Sequence, residues 1–190
     1  MAVTLGSTGI TFPDATTQTT AASAAGMVLI NSVTPSSSAI IDTFISSFSS
    51  TYGAYLLVGQ NIAVNSSGSI MLRFASAGSP DTTNKYSSAS GTGTVGDTAY
   101  TLNNNNEAAF VEGPTDLGGV SFQSWFFSPN STNYKYVQTM SSRQSSASTW
   151  RSYMATIAYT GTATGGFRLY LNSGPLFLAQ GKLYLYGVRA

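Results

Sequence analysis

The chain has 190 residues, enough for one domain of ordinary size and a short extra segment. It contains neither cysteine nor histidine, which excludes disulfides and thiolate chemistry and removes the most common general base and metal ligand. Eight Lys or Arg residues against seven Asp or Glu leave a net charge of +1, so the composition offers no electrostatic footprint for nucleic acid or a membrane surface.

Residues 1–26 form a segment with little to bury. Leu5, Ile10 and Phe12 are nearly its only large apolar side chains, and threonine, alanine and serine fill most of the rest. Such a segment cannot build a core alone, so we predict an extended N-terminal arm that stays flexible or orders against a partner. The arm lacks the basic and apolar regions of a secretory signal, which predicts a protein made in a cytosol.

From Met27 onward the sequence is typical of β-structure. Residues 70–75, 150–159, 167–171 and 182–187 divide with a period of two into two sets, as Ile70, Leu72 and Phe74 alternate with Met71, Arg73 and Ala75. Short runs rich in Gly, Asn and Pro separate these segments. The pattern predicts an antiparallel two-sheet β-sandwich, jelly-roll-like, with about eight to ten strands over residues 27–190. Residues 36–50 favour a short helical segment about as strongly as residues 33–44 favour a strand.

Three carboxylates are the candidates for catalysis or metal binding. Glu107, Glu112 and Asp116 lie within one short stretch, as the acid and base of a glycosidase would, and with Asn103–Asn106 they offer oxygen ligands for Ca²⁺. That stretch is rich in Gly, Pro and Asn, where carboxylates are usually only solvated, and it lacks the spacing of a calcium-binding loop. We therefore expect no enzyme activity, no cofactor and no metal site.

Aromatic residues are the candidates for contact with a glycan. Tyr and Trp combine an apolar ring face with a polar group, so exposed copies stack on sugar rings. Trp125, Tyr134, Tyr136 and Trp150 are the candidate platforms. Most aromatic residues of a β-protein belong to the core or to ordinary sheet faces, and this alternative stays open for each of the four.

The sharpest motif lies in the arm. Residues Gly9–Ala22, GITFPDATTQTTAA, resemble a sequence that recurs in tail-fibre proteins of tailed bacteriophages just before a C-terminal β domain. Two later segments, Ser49–Val58 and Gly181–Val188, are similar to the entry and closing strands of β-sandwich domains in phage fibre proteins. This chain is short for such a fibre and has no long shaft.

The resemblance implies a homotrimer on the phage tail, in contact with other tail or baseplate proteins and facing the host surface and its glycans. Ile10, Phe12 and Pro13 are then the assembly and docking residues of the arm. Pro13 restricts its own φ and biases Phe12 towards an extended conformation, which would project the ring against a partner.

We therefore expect a structural protein of a tailed-phage virion, either a short tail fibre or a tail or baseplate appendage. A capsid decoration protein and a carbohydrate-binding module are the alternatives. A fibre predicts a stable trimer, whereas a lone binding module predicts a monomer. Neither contact with nucleic acid nor insertion into a membrane is expected.

Overall fold

A computed structural model shows an all-β protein and confirms the predicted two-sheet antiparallel sandwich. It describes residues 4–6, 9–11, 17–18, 26–66, 68–83, 85–92, 103–105, 108–111, 119–146, 149–162, 164–172 and 174–189. Within these ranges there is no helix. The period-two pattern of the sequence therefore predicted the fold class correctly.

The described part of the arm is a small antiparallel sheet, separate in its hydrogen bonding from the two sheets of the sandwich. Its strands are β1 (Thr4–Gly6), β2 (Gly9–Thr11) and β3 (Thr17–Gln18). Ile10 is the central residue of β2, opposite Leu5 on one side and Gln18 on the other. The arm thus reverses direction twice, a pairing that its composition did not predict.

The larger sheet of the sandwich contains eight strands. They are β4 (Met27–Val33), β6 (Ala54–Ile62), β9 (Tyr86–Thr92), β10 (Asn103–Asn105), β12 (Val120–Phe127), β13 (Lys135–Ser146), β14 (Thr149–Tyr159) and β16 (Lys182–Val188). Their order across the sheet is β10-β9-β14-β13-β12-β6-β16-β4. Strands β6, β12, β13 and β14 therefore lie in the interior, with a hydrogen-bonded neighbour on each side.

The smaller sheet contains five strands. They are β5 (Ile40–Ile41), β7 (Ile70–Ser76), β8 (Ser79–Pro80), β11 (Ala108–Val111) and β15 (Gly166–Leu171). Four of them follow the order β11-β7-β15-β5, and β8 forms a hairpin with β7. This sheet covers only part of the larger one, because it has fewer and shorter strands.

The core lies between the two sheets and is rich in aromatic rings. Phe126 of β12 stacks on Phe167 of β15 with ring centroids 4.6 Å apart, and Phe74 of β7 meets Tyr159 of β14 at 4.9 Å. All four side chains are almost completely buried. Burial of one such side chain contributes about 1.5–3 kcal/mol, whereas an exposed ion pair contributes about 1 kcal/mol or less. Apolar packing therefore dominates the stability of the sandwich.

The predicted alternation is confirmed in β14 and fails in β7. In β14, Tyr153 and Ile157 face the core, while Met154 between them faces solvent and is 50% exposed. In β7, Leu72 and its neighbour Met71 point to opposite faces, and both are buried. Strand β7 is therefore covered on both sides.

The predicted strand number was too low, because the two sheets together exceed eight to ten strands. The surplus comes from β5, β8, β10 and β11, each of two to four residues. Strands this short show no periodicity in a sequence. Residues 36–50, for which a helix and a strand were equally favoured, contain β5 and then a turn that buries Phe44.

Candidate functional site

The outer face of the larger sheet, on the side away from the core, carries the two features that point to function. Alternation places every second side chain of a strand on this face. The pairing registers of β4, β16, β6, β12, β13 and β14 align these side chains in rows across the strands. The rows at one end of the strands are apolar, and the row at the other end carries hydroxyl and amide groups.

The first feature is an exposed surface that we call the apolar patch. Its two rows are Met27, Val188, Ala54, Phe127 and Tyr136, and then Leu29, Tyr186, Leu56 and Trp125. Met27 is 57% exposed and Leu29 is 52% exposed, whereas Leu56 between its neighbours is only 7% exposed. The patch spans five neighbouring strands, roughly 19 Å from the first strand to the last at the usual spacing between strands. Contiguous apolar surface of this kind typically marks an interaction site.

A β-bulge in β4 turns Leu29 to the outer face. The register shifts so that Leu29 pairs with Tyr186. Ile30 packs against the core, and the next side chain, Asn31, donates a hydrogen bond to the Thr43 carbonyl. Two successive side chains therefore point inward, and Leu29 before them points outward.

Three pairs of aromatic rings stack along the strands of the outer face. They are Trp125 with Phe127 at a centroid distance of 6.3 Å, Tyr134 with Tyr136 at 6.3 Å, and Tyr184 with Tyr186 at 6.4 Å. Each pair joins residues two positions apart, which lie side by side on one face of a strand. Stacking restricts the rings, so the surface that they form is largely pre-organised.

The second feature is a shallow groove of about 590 Å³, which we call the trans-strand groove because it crosses β6, β12, β13 and β14. One wall consists of Val58, Gln123, Met140 and Met154, and the other of Gln60, Ser121, Ser142 and Ser152. The backbone between the two walls forms the floor. This volume lies within the range of small-molecule sites in proteins.

Gly59 allows the floor of the groove to lie close against an aromatic ring. Gly59 pairs with Phe122 across β6 and β12. A Cβ atom at Gly59 would come within 2.3 Å of the Phe122 ring, which is buried beneath the floor. Any larger residue would therefore push this ring aside.

Formal charge is nearly absent from both features. Among the described side chains of these rows, only Lys182 is charged; it pairs with Gln60, and its ammonium lies 5.3 Å from the Tyr184 ring centroid. Two ion pairs that join described residues lie elsewhere, between Asp42 and Arg168 and between Asp81 and Lys85. The described side chains of these rows therefore offer almost no counter-charge to an ionic ligand.

A partly buried polar cluster lies on the inner side of the larger sheet, where Tyr159 is buried but Thr83 and part of Lys85 are exposed. The side chains of Thr83, Tyr159 and Lys85 donate hydrogen bonds to the Asp81 carboxylate. Burial alone would raise the pKa of Asp81, but these hydrogen bonds hold the pKa well below its usual value. Burial also raises the pKa of Tyr159, and the neighbouring carboxylate adds to this effect. The cluster thus ties the segment after β8 to the end of β14.

Lys135 is buried beside this cluster. Its ammonium donates to the carbonyl oxygens of Asn133, at 3.0 Å, and Gly161, and it lies 5.4 Å from the Tyr159 ring centroid. Burial lowers the pKa of Lys135, and the charge of Lys85 lowers it further. Carbonyl groups and a ring face thus replace the water that would otherwise solvate this cation.

The structure brings three of the four predicted aromatic residues together. Trp125 and Tyr136 belong to the apolar patch, and Tyr134 stacks on Tyr136. Trp150 lies in β14 opposite Gln144, and its side chain is outside the described part of the chain. The three that come together lie at the patch end of the sheet and do not line the trans-strand groove.

Several other predicted residues lie outside the described residues: Phe12, Pro13, Asn106, Glu107, Glu112 and Asp116. Of the arm residues, Ile10 is described and lies in β2. Asn103–Asn105 form β10 and pair with β9. The part of the chain that the structure describes contains no group of three acidic side chains placed to hold a metal ion.

Most of the apolar patch and the whole groove were missed in the sequence. Leu29 lies in a continuous apolar run, where alternation does not distinguish the two faces. Phe127 follows the buried Phe126, and the sequence does not show which of these two neighbouring rings faces away from the core. Gln123 and Met154 meet in one groove only because β12, β13 and β14 are neighbours. The one available signal was the alternation of polar and aromatic residues in β12.

The chain matches no protein-family model, no curated protein and no solved structure. Within the described ranges, no helix is long and apolar enough to cross a membrane. A functional proposal for this chain therefore depends on its sequence motif and on the chemistry of its outer sheet face.

Proposed function

We propose that the protein is a structural component of a tailed-phage virion, a short tail fibre or a tail or baseplate appendage that assembles as a homotrimer. The observation that carries this proposal is the apolar patch. A pre-organised, nearly uncharged and exposed surface is characteristic of a subunit that buries it against a partner. The resemblance of residues 9–22 to tail-fibre leaders supports a virion as the setting.

A second copy of this chain is the partner that we propose for the patch. Each Å² of apolar surface removed from water contributes about 25 cal/mol. A cyclic trimer repeats each contact at three equivalent interfaces, so moderate contacts add up. The near absence of charge on this face also lowers the free-energy cost of removing water from it at each interface.

The arm is the proposed attachment to the particle. Ile10 lies in a three-residue strand with paired neighbours, and Phe12 and Pro13 follow it in sequence. We propose that these residues dock on a neighbouring tail or baseplate protein and that the sandwich is displayed outward, near the host surface. No catalytic step, cofactor or nucleic acid is part of this proposal.

The oligomeric state tests the proposal directly. We expect light scattering of the purified full-length protein to give about three times the subunit mass of 19.8 kDa. Leu29→Lys places a charge in the patch and should yield monomers. Ile40→Lys is the matched control, because Ile40 is 44% exposed on the smaller sheet, outside the patch. A wild-type mass near that of one subunit at all workable concentrations would exclude the trimer and favour a monomeric binding module.

Incorporation into particles tests the virion assignment. We expect Phe12→Ala to reduce incorporation strongly while the melting temperature of the sandwich stays unchanged. Equal incorporation of this variant and the wild type would exclude the arm as the docking element. The position of the protein in an imaged virion would separate a tail appendage from a capsid decoration protein.

A further inference from the structure

We infer that the trans-strand groove binds a short, uncharged oligosaccharide. This inference extends the proposed function, because a displayed appendage presents such a site to glycans of the host surface. It rests on the walls, the floor and the charge of the groove, which lie at the opposite end of the outer face from the apolar patch.

The floor of the groove excludes an added β-strand as the ligand. The groove crosses four interior strands, and each of them is hydrogen-bonded to a neighbour on both sides. Their backbone N–H and C=O groups are thus used within the sheet. A peptide in the groove could not form the main-chain ladder on which strand addition depends, so the side chains of the walls must supply recognition.

None of the described residues that line the groove is charged, which argues against an ionic ligand. The polar groups of the groove are the hydroxyls of Ser121, Ser142 and Ser152 and the amides of Gln60 and Gln123. A charged ligand would lose water here without gaining an opposite charge, which is strongly unfavourable. Lys182, in the row beyond Gln60, is the nearest cation in register, and its ammonium already lies against the Tyr184 ring.

The contrast between the two walls favours a sugar over a purely apolar molecule. Serine hydroxyls and glutamine amides both donate and accept hydrogen bonds, as sugar hydroxyls require of their partners. Met140 and Met154, opposite each other on β13 and β14, offer apolar surface to the C–H groups of a sugar ring. An apolar ligand would cover the hydroxyl and amide groups without forming hydrogen bonds to them, and each unsatisfied group would reduce the free energy gained on binding.

An aromatic residue continues the apolar wall beyond the groove. Tyr184 of β16 pairs with Val58, so its ring lies in the same row as Gln123, Met140 and Met154. Tyr184 stacks on Tyr186, which holds the ring in place. A sugar chain that crosses the strands would therefore meet a ring face at the β16 end of the groove, where stacking adds to hydrogen bonding.

Titration calorimetry on the purified full-length protein tests this inference. The probes are maltotriose, cellotriose and mannotriose, with trigalacturonate as an acidic probe of the same length. We expect at least one neutral trisaccharide to bind and trigalacturonate not to bind. Gln123→Ala should weaken binding about three- to tenfold, as expected for the loss of one uncharged hydrogen bond. Ser142→Glu should weaken it more, because it adds a charge to the groove.

Gln138→Ala is the matched control for Gln123→Ala. Gln138 is also an exposed glutamine on the outer face of the same sheet, but it pairs with Trp125 outside the groove. This variant should bind the neutral probe like the wild type. The inference is overturned if none of the neutral probes binds, if trigalacturonate binds as well as they do, or if Gln123→Ala and Gln138→Ala weaken binding equally.

This experiment separates failure of the groove from failure of the virion proposal. Binding is measured on purified protein and does not depend on particles or on the arm. A protein that joins particles but binds no neutral probe overturns the groove alone. A protein that binds through the groove but stays monomeric and outside particles supports the groove and overturns the virion proposal.

Discussion

The two ends of the outer sheet face differ in their chemistry, apolar at one end and rich in hydroxyl and amide groups at the other. Both the apolar patch and the trans-strand groove are built from alternate residues of the same strands. In β12, Phe127 and Trp125 belong to the patch, whereas Gln123 and Ser121 belong to the groove. In β13, Tyr136 lies in the patch and Ser142 in the groove.

This difference shows that alternation and function are encoded at different levels. Alternation decides only which side chains leave the core. The position along a strand then decides whether an outward residue joins rings and aliphatic groups or hydroxyls and amides. A surface for association and a surface for a polar ligand can thus share one rigid sheet without sharing side chains.

A pair of lysine substitutions should separate the two ends most strongly. Phe127→Lys places a charge in the apolar patch, where burial against a second copy would be strongly unfavourable. We expect trimer formation to weaken by about a hundredfold or more, with saccharide binding unchanged. Met154→Lys, in the wall of the groove, should weaken saccharide binding and leave trimer formation unchanged. Light scattering and calorimetry on both variants measure the two effects.

These two substitutions control for each other, because Phe127 is 40% exposed and Met154 is 50% exposed. A general loss of stability would affect both measurements in both variants. If Met154→Lys dissociated the trimer as Phe127→Lys does, the two ends of the face would not be functionally separate.

A smaller effect is expected from the floor of the groove. Gly59→Ala should lower the free energy of unfolding by about 1–3 kcal/mol, because the new methyl group collides with the Phe122 ring in a packed core. Saccharide binding should fall as well, since the floor shifts. Urea unfolding measures the change in stability.

Gly165→Ala is the control for this substitution, because a Cβ atom there would have no neighbour within 4 Å. It should leave the free energy of unfolding within about 0.5 kcal/mol of the wild-type value. Equal destabilisation by Gly59→Ala and Gly165→Ala would show that the close approach of Phe122 is not what requires glycine at position 59.

The smallest effect concerns pH, and it should leave both ends of the outer face unchanged. The folded state lowers the pKa of Asp81, so this carboxylate stabilises the fold at pH values above its unfolded pKa. That stability is lost as the pH falls below about 4 and through the folded pKa. Asp81→Asn should cost about 1–2 kcal/mol at neutral pH and flatten the acid side of the stability curve.

Asp42→Asn is the matched control for the Asp81 substitution. Asp42 also pairs with a basic residue, but its side chain is 44% exposed. Its replacement should change the unfolding free energy by about 0.5 kcal/mol or less. Urea unfolding from neutral to acidic pH compares the variants. If Asp42→Asn, and not Asp81→Asn, removed the loss of stability at acidic pH, then Asp42 and not Asp81 would be the carboxylate that titrates.

The fold class was predictable because long strands such as β12 and β14 keep a period of two. The exposed surface was not, as Leu29 and Phe127 illustrate. Leu29 faces outward because of the bulge at Ile30, and Phe127 is exposed because it points to the outer face of the larger sheet, away from the smaller sheet. Both depend on pairing between distant segments, which no local pattern contains.

The same limit applies to the candidate sites. Trp125, Tyr134 and Tyr136 were predicted as sugar platforms from residue type alone, and the structure gathers them at the patch end of the sheet. No single segment of the sequence predicts the groove, because its walls combine residues from four strands. A site whose side chains come from several neighbouring strands is therefore the hardest kind of β-protein site to predict from the sequence.

The burial of Lys135 has a chemical consequence for the protein in solution. Reagents that acylate amines need an accessible, unprotonated nitrogen, and the Nζ atom of Lys135 is enclosed by two carbonyl groups and the Tyr159 ring. Lys85 and Lys182 are considerably more accessible. Covalent labelling of Lys135 thus requires that the start of β13 first separates from the end of β14. The rate at which Lys135 is labelled therefore measures local unfolding of the sandwich at this position.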